Sequence, residues 1–173
     1  LVKLVKKTAI RAGMARPAIR PKTTMQKEKQ KEDGVKKSQK LLLTWMIEEE
    51  RLFRTIRKYI RPEDFSEEMY RTVASLLYEQ YEQGTVNPAK IISHFTEEEE
   101  HREVASLFHT KLQELRTDKE LEKALQETIV KVKTAALEQE LDYLEPTDME
   151  GLQRVMREKK SLQNPQKLHI SID

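Results

Sequence analysis

Side chains able to do chemistry are few in this chain, and their spacing is poor for it. Four histidines occur, at His94, His101, His109 and His169. Metal ligands lie one helical turn apart or converge from neighbouring elements. His101 and His109 are instead eight residues apart on one predicted helix, and His94 sits on the helix before it. The acidic runs Glu48-Glu49-Glu50 and Glu97-Glu98-Glu99-Glu100 could be imagined as cation clamps. Successive helical positions point about 100° apart, so consecutive carboxylates cannot converge on one ion. The second run falls at a helix N-terminus, where negative charge offsets the macrodipole. Gly13, Gly34, Gly84 and Gly151 are too scattered for a phosphate-cradling loop. The serines have no matching His and Asp in a recognisable order. Trp45 and the tyrosines fall mostly on apolar helix faces, which makes them core rather than a stacking platform; Tyr143 is the exception. The expectation is a chain without catalytic residues, cofactor, metal or small-molecule ligand.

The elements that carry these residues are helical. Among 173 residues, only 4 are glycine and 6 proline, too little punctuation for a sandwich or a doubly wound sheet. The dominant Glu, Lys, Leu, Gln and Arg are strong helix formers. With 37% apolar and 36% charged residues, the core is modest and the surface heavily charged. The absence of cysteine excludes disulfides and thiolate zinc sites and fits a reducing, cytoplasmic setting. No run of about 18 apolar residues suggests a membrane span. The opening Leu-Val-Lys-Leu-Val-Lys-Lys lacks a Met and an apolar signal region, and predicts a start inside a longer chain.

The net charge of +2 hides an asymmetry: +10 over residues 1–40 and −8 over 41–173. Residues 1–37 include Pro17, Pro21, Gly13 and Gly34, and over 22–37 only Met25 and Val35 are sizeable apolar residues. Such a segment buries too little to offset ordering entropy, which predicts a flexible basic linker. Residues 1–12 suit a short basic helix, and the linker's charge suits weak, transient contact with nucleic acid.

From Ser38, a predicted N-cap, a dense run, Leu41, Leu42, Leu43, Trp45, Met46 and Ile47, opens a bundle of five or six short helices over 38–117. Pro62 stops the second of these, Ser66 caps the next and Gly84 closes it. That helix presents Met69, Tyr70, Val73, Leu76, Leu77 and Tyr81 inward. Asn87-Pro88 opens a short helix, and Thr96 with Glu99 forms a capping box for a helix bearing Val104, Leu107, Phe108, Leu112 and Leu115. Thr117 with Glu120 starts an unbroken helix to about 144, roughly 40 Å long. After Glu145-Pro146, Thr147 with Glu150 starts a second arm, and so short a turn predicts an antiparallel helical hairpin over 118–173. Residues 167–173 form a tail in which Leu168, Ile170 and Ile172 alternate with polar positions.

The stretch 40–95 carries a recognisable pattern. It reads Lys-Leu-Leu-Leu-Thr-Trp-Met-Ile at 40–47 and Arg-Pro-Glu-Asp-Phe at 61–65. Met69-Tyr70-Arg71, Tyr78-Glu79-Gln80-Tyr81-Glu82-Gln83-Gly84, Asn87-Pro88 and Ile91 follow. Together with the lysine-rich tether, the hairpin and the closing Leu168-His169-Ile170-Ser171-Ile172, this resembles the C-terminal helicase-binding domain of bacterial DNA primases. The resemblance covers about 38–173. It implies a module of the bacterial replisome that docks on the hexameric replicative helicase, brings RNA primer synthesis to the fork and modulates helicase activity. The nucleotidyltransferase activity, with its zinc and magnesium, would belong to upstream domains, of which residues 1–12 would be the last remnant. The Pro-Glu-Asp-Phe stretch also resembles the N-terminal domain of the replicative helicase itself. The preceding tether and the terminal hairpin favour the primase. A general nucleic-acid-binding helical module is the third reading.

The hairpin is the expected contact surface. Tyr143, Leu144 and Met149 would form an apolar tip, and Leu152, Val155 and Met156 lack evident partners on the second arm. Flexible methionines suit a surface that must adapt to a partner.

Overall fold

A computed structural model describes residues 23–110, 117–164 and 168–172. These contain seven α-helices, one 3-10 turn and no strand: α1 Thr24–Glu48, α2 Glu50–Ile56, the turn Pro62–Asp64, α3 Glu68–Glu82, α4 Pro88–His94, α5 Glu98–His109, α6 Asp118–Tyr143 and α7 Met149–Leu162. The protein is all-α across the described residues. None of these helices is long and apolar enough to cross a membrane.

The chain divides into two units, 1–31 and 32–173. In the first, only 23–31 are described, and they are exposed and helical from Thr24. Thr23 and Gln26 form a capping box: Thr23 Oγ1 accepts from the Gln26 N–H, and Gln26 Oε1 accepts from the Thr23 N–H. The flexible linker expected over 1–37 is therefore helix from Thr24 onward, while 1–22 lie outside the described residues. Lys, Gln and Glu pay little rotamer entropy in a helix. Extending a helix already nucleated costs far less than starting one.

In the second unit, α1 ends in five consecutive buried residues, Leu42, Leu43, Thr44, Trp45 and Met46. A helix apolar all round is one that other elements surround. Glu49 leaves helical geometry at φ −137° and ψ 128°, and α2 restarts at Glu50. Acidic residues oppose the dipole at a helix C-terminus and favour it at an N-terminus, so the run 48–50 is where one helix should become two. Ser38 is interior to α1 and donates to the Gly34 carbonyl at 2.9 Å, so it is not the expected cap.

Phe53 of α2 stacks on Tyr81 of α3 with ring centroids 4.0 Å apart, and meets the Tyr78 ring edge-on at 5.0 Å. The Tyr81 hydroxyl donates to the Met46 carbonyl at 2.5 Å, satisfying one of the orphan acceptors at the end of α1. Ser66 is not the cap of α3, which begins at Glu68 after Glu67. Ser66 instead accepts from the buried Gln39 amide at 2.7 Å. Helix α3 ends as expected at Gly84, with φ 80°. Thr85 N–H reaches the Gln80 carbonyl and Gly84 N–H the Tyr81 carbonyl, each at 3.2 Å, the paired closure of a Schellman end.

Asn87 accepts from the Lys90 N–H and caps α4, as expected. At α5 the cap position is Glu97, not Thr96. Leu112 and Leu115 lie outside the described residues. Thr117 caps α6 by accepting from the Glu120 N–H. At α7 the cap is Asp148, not Thr147: its carboxylate accepts from the Gly151 N–H at 3.0 Å.

One buried cluster draws Leu42, Phe53, Tyr70, Val104, Leu125, Ile129, Val132 and Ile170 together. Side chains from both sides of residue 117 thus share one core. Helix α6 also touches the 3-10 turn, where Lys133 Nζ lies 3.0 Å from both carboxylate oxygens of Asp64. Asp64 holds its own turn as well, accepting from the Arg61 N–H at 2.8 Å.

Candidate partner-docking surface

Helices α6 and α7 pack on one another, and their ion pairs run in antiparallel order. Arg154 of α7 pairs with Glu140 of α6, and Lys159 of α7 reaches Glu138 of α6 at 3.2 Å. At 100° per residue, Val155 lies between Arg154 and Lys159 on the surface of α7, so it faces α6. It is fully buried, as is Leu137 of α6 to within 2%. The Arg154 guanidinium pKa is raised, first by its hydrogen bond to Glu140 and then by that carboxylate's charge.

The six residues expected to meet a partner divide into three groups. Tyr143, Met149 and Met156 are 80%, 61% and 65% exposed, and with Met25 they are the large exposed apolar side chains among the described residues. Leu144 and Leu152 are half-buried. A Cβ added to Gly151 would lie 3.0 Å from Leu144 Cδ2, so Leu144 closes the turn. Val155 is corrected outright: burial between α6 and α7 removes it from any surface.

The exposed three do not form a single tip. Met149 and Met156, seven residues apart, share one face of α7. Tyr143 lies with Arg154 and Glu158 along a groove of about 970 Å³ between the 57–64 segment and the α6–α7 pair. Met156, two positions from Arg154, projects from the other side of the helix. The expected tip of Tyr143, Leu144 and Met149 is instead an apolar row on α7 and an aromatic ring at a charged groove.

Residue-by-residue reading passed over that groove. Arg57, Lys58, Arg61 and Arg71 line it opposite Lys133 and Arg154. Its signal was present in the sequence: 50–61 holds Arg51, Arg54, Arg57, Lys58 and Arg61 against the single acid Glu50. The histidines His94, His101, His109 and His169 are all exposed. Among the described residues no three His, Cys, Asp or Glu side chains gather as metal ligands would. On this surface α7 presents exposed apolar side chains and the groove presents charged ones.

Comparison with protein families, curated proteins and solved structures found no significant match.

Proposed function

We propose that this chain is a protein-interaction module in which a helical bundle presents α6 and α7 as an antiparallel hairpin to a hexameric replicative helicase. In this reading it is the helicase-binding part of a bacterial DNA primase, recruiting primer synthesis to the fork and modulating the helicase. The observation that carries the reading is the concentration of exposed apolar side chains on α6 and α7. Met149 and Met156 are 61% and 65% exposed on one helix face, and Tyr143 is 80% exposed before the turn. Surface apolar residues scattered singly need no explanation, but two methionines in register are suited to a helical groove. The pattern over 40–95 and the order of tether, bundle and hairpin supply the partner's identity.

The test mixes the full chain with a bacterial replicative helicase and follows complex formation by gel filtration. The native chain is expected to co-elute with the hexamer. Met149→Glu with Met156→Glu is expected to abolish co-elution while leaving the circular dichroism spectrum unchanged. Failure of the native chain to bind would sink the functional reading, and undiminished binding by the double variant would sink the assignment of the surface.

A further inference from the structure

The exposed side of α7 carries more than its two methionines. Met149, Gln153, Met156 and Lys160 follow one another at steps of four, three and four residues, and all four are exposed. At about 3.6 residues per turn such steps keep to one line along the helix, about 16 Å from end to end. This is the spacing at which one helix receives another, knobs into holes. The line is apolar at Met149 and Met156, an amide at Gln153 and cationic at Lys160. Arg157, next to Met156 in the chain, flanks the line and is also exposed. The other two cations of this stretch, Arg154 and Lys159, are turned to α6, where Glu140 and Glu138 hold them. Among the described residues, Arg157 and Lys160 enter no ion pair. A helix C-terminus favours cations, which accounts for basic residues near the end of α7 but not for two unpaired ones alongside the methionines.

We infer that α7 is met by one amphipathic helix of the partner, apolar around Met149 and Met156 and carrying carboxylates opposite Arg157 and Lys160. The inference rests on the helicase reading and states what the helicase must offer this face. Steps of four, three and four residues match the grooves of a helix, whereas an extended segment alternates with a period of two. The charges fix the direction of the match. The partner's acidic positions lie towards the C-terminal end of α7, and its apolar positions begin at Met149. A second copy of α7 is the competing occupant. Laid antiparallel on the same line, each copy would set Lys160 against Met149 of the other, a cation against an apolar side chain. Laid parallel in register, it would set Lys160 against Lys160. Neither arrangement supplies the carboxylate that Lys160 lacks.

The test follows binding of the labelled full chain to a bacterial replicative helicase by fluorescence anisotropy, at salt from about 0.05 to about 1 M, where the Debye length shrinks to about 3 Å. Arg157→Gln with Lys160→Gln is expected to bind about fivefold more weakly at the low-salt end, the scale of two exposed ion pairs. At the high-salt end it should match the native chain. Both side chains are exposed, so the variant should fold, as thermal melts check. Lys119→Gln with Lys123→Gln removes the same charge from the first turns of α6 and is expected to stay within about twofold of the native chain. Native affinity in the Arg157 and Lys160 variant overturns the inference and leaves the helicase reading standing, as does a loss that persists undiminished at high salt. A native chain that does not bind overturns both. Equal weakening by the Lys119 and Lys123 variant would mean attraction without a docking register, and that too overturns the inference. So does sedimentation of the native chain as a dimer that Met149→Glu with Met156→Glu dissolves, which would give the face to a second copy.

Discussion

At the scale of single residues, three tyrosine hydroxyls supply donors that the surrounding acceptors need. Tyr70 donates to Glu103 at 2.6 Å, Tyr78 to the Ile60 carbonyl and Tyr81 to the Met46 carbonyl. Burial raises the pKa of each above the ordinary tyrosine value. The Glu103 hydrogen bond adds to the effect at Tyr70, and the Asp64 charge adds to it at Tyr78. A raised folded pKa means stabilisation that is complete below the unfolded value, about 10, and lost as pH climbs towards the folded one. The melting temperature is therefore expected to fall above about pH 10. Tyr78→Phe should make that fall shallower while costing about 1 kcal/mol at neutral pH, read from thermal melts across the alkaline range and a urea titration at neutrality. Identical alkaline slopes in both proteins would show that Tyr78 ionisation is not linked to folding. Helical spacing was enough to place Tyr70 and Tyr81 inward. It carried no information about acceptors 33, 18 and 35 residues away, which only tertiary packing brings near.

Among the elements, helix type and order were legible because period and propensity agree over long stretches. Helix starts were less so. Asn87 and Thr117 cap where expected, but Ser38, Ser66, Thr96 and Thr147 do not. A capping signal spans only a few residues and competes with its surroundings. Good helix formers upstream carry α1 through Ser38, Gln39 claims Ser66, and Asp148 stands one place nearer than Thr147 to the helix it caps. The last case leads to a sharp expectation. A Cβ at Gly151 would lie 2.5 Å from Asp148 Oδ2 and 2.9 Å from its Cγ, so the cap and a side chain at 151 exclude each other. Gly151→Ala should therefore forfeit the cap despite alanine's better helix propensity, with a net loss of up to about 1 kcal/mol. A urea midpoint equal to or above the native one would show that Asp148 contributes little.

Across the whole molecule, the charge division between 1–40 and 41–173 was readable by counting, but the limits of the core were not. Leu125, Ile129, Val132 and Ile170 belong to the same cluster as Leu42 and Phe53. An amphipathic pattern shows that a face is buried, not which neighbour buries it. Exposure on α7 was only partly legible for the same reason: Met149 and Met156 are exposed, whereas Val155, with a similar pattern, is buried. Ending the chain after residue 117 is expected to strip the bundle of these four side chains. Large apolar truncations cost about 2–5 kcal/mol each, which exceeds the margin of a typical domain. Circular dichroism should then show no cooperative melt; a sharp transition would mean that 32–117 is self-sufficient.

The docked tail also sets an order of events during synthesis. Ile170 is 1% exposed within the common cluster, and the Ile172 N–H donates to Glu122 on α6 at 3.1 Å. Its core therefore cannot be completed helix by helix as the nascent chain emerges. Closure waits until residue 170 has cleared the ribosome, several seconds after Leu42 at about 5–20 residues per second. For that interval the cluster that holds the most apolar stretch of α1 lacks its last members, Ile129, Val132 and Ile170 among them.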